Sequence, residues 1–381
     1  MNLITVADSI TVDPSAERQL QLRALALDGL RRMFRPECGL FAFRLRKQDG
    51  GLVLEGVSPR YTAIALIGLA GQEPYEAAQV LGRTDIGTVC ARLIEAARSV
   101  DNLGDAALAL WAATALGHDR AEEARVALRA LRPVEGPHPT VELAWSLTAL
   151  ALDEESFAGD AALARGMARK LLASFNPAAG MFSHGPRDGR GSLLGGHVAC
   201  FADLVYPIQA LAHYYQRTGD GEAIRAARRC AERMCALQGG AGQWWWHYDC
   251  RTGRVIEPYP VYSVHQDAMA PMALFALQKA CGADHTPAIR RGLEWLFRPT
   301  ETSEHLVDRA AEVIWRKVAR REPRKLARGL QAVASRIHPS LRVPYLDTVF
   351  PPGQVDYECR PYHLGWLLYA WTGDGTELRA A

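Results

Sequence analysis

Apolar residues recur along the chain with a period near 3.6, the mark of helices. The pattern predicts helices over 15–34, 58–70, 85–99, 103–116, 119–131, 139–151, 160–175, 199–217, 221–238, 262–281, 285–297 and 360–372. They are of two alternating kinds. Segments such as LQLRALALDGLRRMF, GTVCARLIEAARS and RAEEARVALRAL carry arginines and acids on one face, which belongs in water. Segments such as YTAIALIGLAG, AALALWAATALG and VELAWSLTALAL are apolar nearly all round, as is much of YPIQALAHYYQ, MAPMALFALQK and LGWLLYAW. A helix of that second kind is buried. Six amphipathic helices alternating with six buried ones describe one all-α domain, an (α/α)6 toroid over residues 1–381. The buried set forms its inner ring and the amphipathic set its outer ring. An irregular helical array, a solenoid or two bundles, has the same periodicity. One stretch breaks the alternation. HLVDRAAEVIWRKVARREPRKLARGLQAVASR, within 302–338, is expected to be a very basic helical insertion before the last inner helix.

A weak internal repeat supports stacked helical hairpins. GLRRMFRPECGLF (29–41) resembles GLEWLFRPTETSE (292–304), and KLLASFNPAAGMF (170–182) has the shape of RMCALQGGAGQWW (233–245). Three segments read as β-hairpins, turning at Asp49-Gly50, Asp188-Gly189 and Thr252-Gly253; Asp-Gly between alternating residues is the stronger signal. Each joins an outer helix to the next inner one, so in a toroid all three lie at one mouth.

Gln238-Gly-Gly-Ala-Gly242-Gln-Trp244 fits the pattern QxxxGxW, with degenerate copies at Arg35/Gly39/Phe41 and Asn176/Gly180/Phe182. In this the chain resembles the terpenoid cyclase and protein prenyltransferase superfamily. The resemblance implies a helical toroid in which Gln238 caps neighbouring helix ends and Trp244 stacks on it. The chemistry of that superfamily does not carry over. The DxDD acid motif of its class II cyclases is absent. Asp356, Cys359 and His363 stand closer together than the zinc ligands of the prenyltransferases, so no metal is expected. Six-hairpin glycosidases, uronate epimerases and polysaccharide lyases share the architecture.

Composition narrows the classes. The chain has 381 residues, 44 Lys+Arg against 42 Asp+Glu, and a net charge of +2, too little to announce a nucleic-acid partner. The first residues carry two Asp and no basic n-region, so no secretory signal is expected, and no apolar run is long enough to span a bilayer. The eight cysteines form no CxxC pair and read as reduced thiols of a cytoplasmic protein. No GxGxxG, GK[ST], HExxH or GxSxG motif is present, so no cofactor is implied. Oligomeric state is left open.

The candidate chemistry lies where the inner helices begin. Each opens with polar residues ahead of its apolar body: Arg60-Tyr61; Asp105; Glu142; Asp203; Tyr262, His265, Gln266 and Asp267; Glu358, Arg360, Tyr362 and His363. Asp105 and Glu142 stand where helix caps and first-turn acids are favoured. In YPVYSVHQDAMAPMAL, Tyr262/Gln266 and Ser263/Asp267 are i,i+4 pairs, and Pro271 breaks the helix after them. In WWWHYD, alternation sends Trp245 opposite to Trp244 and Trp246. Six helix N-termini and the forks of Arg60 and Arg360 favour an anionic ligand. The expected function is acid/base catalysis on a uronate-containing glycan by a hydrolase, lyase or epimerase. Asp267 is the expected acid or base, with Tyr262 and His265 aiding it and Asp203 or Glu358 as second carboxyl. Arg60, Tyr61, Trp245, Gln266, Arg360, Tyr362 and His363 are the expected substrate contacts. Two alternatives stand: a terpenoid cyclase or isoprenoid-binding enzyme with a cavity Asp as acid, and a non-catalytic scaffold holding a glycan or partner. The basic insertion (Arg309, Arg316, Lys317, Arg320, Arg321, Arg324, Lys325, Arg328) would then meet an acidic partner or a membrane surface, or simply be a solvated face.

Overall fold

A computed structural model describes residues 14–185, 196–323, 326–338 and 340–372. The six outer helices are Pro14–Met33, Ile86–Ala97, Ala121–Ala130, Phe157–Ser174, Gly221–Ala236 and Thr286–Phe297. The six inner helices are Pro59–Leu69, Leu103–Ala115, Thr140–Leu152, Ala202–Thr218, a π-turn His265–Met269 continued by Ala270–Cys281, and Pro361–Ala370. The inner helices pack on one another in chain order, and the sixth packs back on the first. This is the (α/α)6 toroid that the alternation predicts.

Local chemistry starts the helices. Ser58, Asp85, Asn102 and Asp220 cap their helices by accepting from backbone N–H groups of the first turn, as short polar side chains do. On the inner helix Pro59–Leu69 every residue from Thr62 on is buried. On the outer helix Gly221–Ala236 only the stripe Ala223, Ile224, Ala226, Ala227, Cys230, Ala231 and Met234 is buried. The middle of the ring is filled. Trp111 packs on Trp366 and Tyr369 with ring centres 5.2 and 5.4 Å away, and Trp145 packs edge-on to Tyr206 at 5.1 Å. Gln209 donates to the Tyr369 hydroxyl at 3.1 Å. These rings give the mouth a floor.

The ring closes through two glycines. A Cβ on Gly68 would stand 2.3 Å from the Gly365 carbonyl oxygen, and one on Gly365 would stand 2.6 Å from that of Ile64. Only bare backbone lets the first and sixth inner helices approach so closely.

The mouth is built of short strands that run into inner-helix starts. Glu358–Cys359 adds to the hairpin Arg44–Gln48/Gly51–Glu55, Val198–Cys200 pairs with the hairpin His247–Asp249/Arg254–Glu257, and Val261–Tyr262 pairs with Lys317–Arg320. The turns at Asp49-Gly50 and Thr252-Gly253 are as expected; Asp188-Gly189 lies outside the described residues. The basic insertion departs from expectation. Val307–Asp308 pairs with Val313–Ile314, Lys317–Arg320 is a strand, and only Leu326–Ile337 is a longer helix. Lys317 to Arg320 alternate between half-buried and buried, so the two-residue period governs there rather than the helical one. Arg320 is buried on Glu257 at 2.7 Å and belongs to no solvated face. Arg324 and Lys325 lie outside the described residues.

The QxxxGxW turn is structural. Gln238 donates to the carbonyls of Gly242 and Ala288 at 2.9 and 2.8 Å and accepts from Arg291, so it clamps the turn to the next outer helix. Gly242 has φ +102°, and a Cβ there would strike the Arg291 carbonyl at 1.9 Å. Trp244 is wholly buried and packs on Phe201 at 5.9 Å.

Candidate active site

One side of the mouth is cationic. Glu358, buried at the start of the last inner helix, takes charge from three arginines: Arg44 at 2.9 Å, Arg316 at 3.3 Å, and Arg360. Lys317 lies 3.1 Å from Asp356. Burial and then Arg316 lower the Lys317 ammonium, against the pull of Asp356. Burial also opposes the charge on Arg360, but Tyr61 and Glu358 outweigh it and raise its pKa. Arg360 donates to the Tyr61 hydroxyl at 2.9 Å and sits 4.7 Å from the Phe43 ring centre. Tyr61 stacks between Phe43 (5.4 Å) and Tyr362 (4.9 Å). Arg316 and Lys317 lie over the ring of Tyr262, at 5.3 and 5.4 Å.

The other side is acidic. Arg60 donates to Asp105 at 2.6 Å and to the Asn102 side-chain oxygen at 2.8 Å, and Asn102 donates to Glu142 at 3.0 Å. Asn102, not Asp105, caps that helix. Arg60 and Tyr61 also border a side cavity of about 360 Å3 floored by Leu93, Ala97 and Ala109. Asp203 is fully buried and accepts from the Cys200 N–H at 2.8 Å. His184 covers it, with Nδ1 3.0 and 3.2 Å from the two carboxylate oxygens and 64% of its side chain exposed. The hydrogen bond and charge of Asp203 raise the His184 pKa above its usual 6.5, with a smaller pull from Glu142, against burial. Burial pushes the phenols of Tyr206, on the fourth inner helix, and Tyr362, on the sixth, up.

His184 and Glu142 join the acidic cluster although the spacing of the sequence did not single them out as catalytic. Glu142 was legible as an inner-helix opening residue. His184 has no such signal, because it sits in a loop 19 residues before Asp203. A ring nitrogen of His184, Cys200 Sγ and an Asp203 carboxylate oxygen lie within 4.8 Å of one another. Burial, and then Asp203, hold the Cys200 thiol protonated. The trio is therefore a hydrogen-bonded set as it stands; a metal would have to displace that proton.

The segment expected to be the catalytic centre lies deeper. A π-turn carries His265, Gln266 and Asp267, all buried. His265 stacks on Phe201 at 4.2 Å and parallel to Trp246 at 5.6 Å; burial drives its pKa down to about 3. Gln266 accepts from the Trp244 N–H at 3.2 Å and donates to the Tyr262 carbonyl at 3.0 Å. Asp267 lies 2.8 and 2.9 Å from His363 Nε2; burial raises its pKa more than His363 lowers it. The Asp267–His363 pair thus ties the fifth inner helix to the sixth. Trp245 donates to the Leu237 carbonyl at 2.8 Å, and Trp246 is the ring packed on Tyr262, at 4.7 Å. The strand begins only at His247, so strict alternation does not apply to the three tryptophans.

This geometry is that of a six-hairpin (α/α)6 toroid, a mouth of short hairpins over an aromatic-floored helical ring. Solved structures of similar fold include an unsaturated glucuronyl hydrolase specific for heparin (TM-score 0.61, 13% identity, 93% of this chain and 96% of that one). A family 88 glycosyl hydrolase from Bacteroides vulgatus (0.54, 12%, 93% and 97%) and a polysaccharide lyase (0.54, 13%, 94% and 96%) are also similar. No protein-family profile and no curated protein matches the sequence.

Proposed function

We propose that this chain hydrolyses a terminal uronate from an oligosaccharide. The observation that carries the reading is the division of the mouth. An Asp203–His184 pair stands at the start of the fourth inner helix, with Glu142 at the start of the third, and a cluster of Arg360, Arg316, Lys317 and Arg44 gathers at the start of the sixth. The cations take the sugar carboxylate, and Tyr61 and Tyr362 offer ring faces to the sugar. Asp203 holds His184 by Nδ1, leaving Nε2 to give a proton to the departing oxygen or take one from water. Glu142, at the start of the neighbouring inner helix, supplies the second carboxyl group that glycoside hydrolysis uses. Burial disfavours Tyr206 and Tyr362 as bases for an elimination. The similar fold of an unsaturated glucuronyl hydrolase supports the same class of substrate.

The test is release of free uronate from saturated and 4,5-unsaturated uronate-terminated oligosaccharides. Asp203→Asn and His184→Ala are each expected to lower turnover about a hundredfold. Arg360→Ala is expected to raise KM more than it lowers kcat. Near-normal turnover in Asp203→Asn, or no turnover of any uronate oligosaccharide by folded protein, refutes the reading.

A further inference from the structure

Leu326–Ile337, the helix of the insertion, is amphipathic in a way its neighbours do not explain. Its buried face is Ala327, Gln331, Ala334 and Ser335. Gln331 bonds the Leu341 carbonyl and the Val343 N–H, at 2.9 and 3.0 Å, and Ser335 lies 3.1 Å from His197 Nε2. Arg251 donates to the Ser335 carbonyl at 3.1 Å. The helix is thereby seated on the strand Arg254–Glu257, at the rim of the mouth.

Its outer face is apolar. Leu326, Leu330, Val333 and Ile337 are spaced by four, three and four residues, one stripe of a helix, and are 44–75% exposed. Leu341, Tyr345 and Val349, in the chain that follows the helix, are 43–79% exposed. Twelve large apolar side chains stand exposed among the described residues, and seven of them are in this segment. Such clustering marks an interaction surface rather than the usual scatter.

The charges around the stripe select its occupant. Residues 321–350 contain six Arg or Lys and two acids. Both acids are engaged within the chain: Glu322 accepts from the Ala327 N–H, and Asp347 lies 2.8 Å from Arg320. Arg336 is exposed and Arg328 half-exposed, on the same helix as the stripe. A second copy docked face to face would bring these cations against their own kind. A surface of anionic lipid headgroups offers both an apolar layer and opposite charge.

We propose that this helix lies on anionic membrane surfaces, holding the mouth beside the lipid so that glycans carried on that surface reach it. The full-length protein should co-sediment with phosphatidylglycerol-containing vesicles. Binding to phosphatidylcholine vesicles, or at high salt, should be about tenfold weaker or more. The double variant Leu330→Asp/Ile337→Asp should lose binding. Arg328→Glu/Arg336→Glu should weaken it and flatten its salt dependence. Both should keep the wild-type melting temperature and wild-type activity on soluble oligosaccharide. Equal affinity for neutral and anionic vesicles, or binding untouched by both variants, overturns the proposal. So does a concentration-dependent dimer that the apolar double variant dissolves in a protein that ignores vesicles. The delivery of glycans to the mouth, and the control on soluble oligosaccharide, rest on the proposed hydrolysis; the vesicle and dimer measurements do not.

Discussion

His184 takes its elevated pKa chiefly from the hydrogen bond and charge of Asp203. A histidine whose folded pKa is raised stabilises the fold most below its unfolded value, near 6.5, and loses that contribution as pH rises through the folded value. His184→Gln should therefore remove part of the stability difference between pH 6 and more alkaline solution, read from urea midpoints. The His184 side chain is mostly exposed, so the effect is small. His265 has the opposite sign. Burial, the largest influence, depresses it to about 3, so the unfolded chain takes up its proton near pH 6.5 while the folded chain does not. Stability then falls as pH drops from 6.5 towards 3. His265→Phe keeps the stack on Phe201 and Trp246 and should flatten this acid limb by a few kcal/mol, seen as a melting temperature that depends less on pH.

At the scale of elements, the alternation of helix types survives folding because it is a statement about burial, and the apolar bodies of the first three inner helices are buried all round as their composition requires. In the insertion, VIWRKVAR groups its apolar and basic residues in twos and threes, a pattern that suits a helix, and its burial does not follow it. Pairing with Val261–Tyr262 and Pro352–Asp356 decides for strand. Ring closure has a simple test. Gly365→Val would drive a side chain into the backbone of the first inner helix. The expected loss is about 3 kcal/mol or more, measured by denaturant unfolding. An ordinary substitution on an exposed outer-helix position should stay within about 0.5 kcal/mol.

For the whole molecule, the charge near zero conceals a strong division of charge at the mouth. Acids gather on the second, third and fourth inner helices and cations around the sixth inner helix and its strands. A uronate oligosaccharide at about 100 times its dissociation constant should add roughly 2.7 kcal/mol of stability, visible as a rise in melting temperature that Arg360→Ala abolishes. Isoprenyl diphosphates should give no matching turnover. The turn at Gln238–Trp244 is fully occupied in joining helices and reports architecture.

The sequence by itself determined the twelve helices, their inner and outer ranks, and the fact that polar residues open every inner helix. Periodicity encodes how deeply each residue is buried, and that is a local property. Only the tertiary structure decided which of those polar residues meet. It sent Asp267 inward to His363, because a π-turn resets the phase of the helix there. It gave Glu358, beside its sequence neighbour Arg360, two arginines from distant segments, Arg44 and Arg316, and it set a loop histidine over Asp203. Those pairings depend on the closure of the ring, which brings distant segments together at one mouth, and no spacing along the chain carries that information.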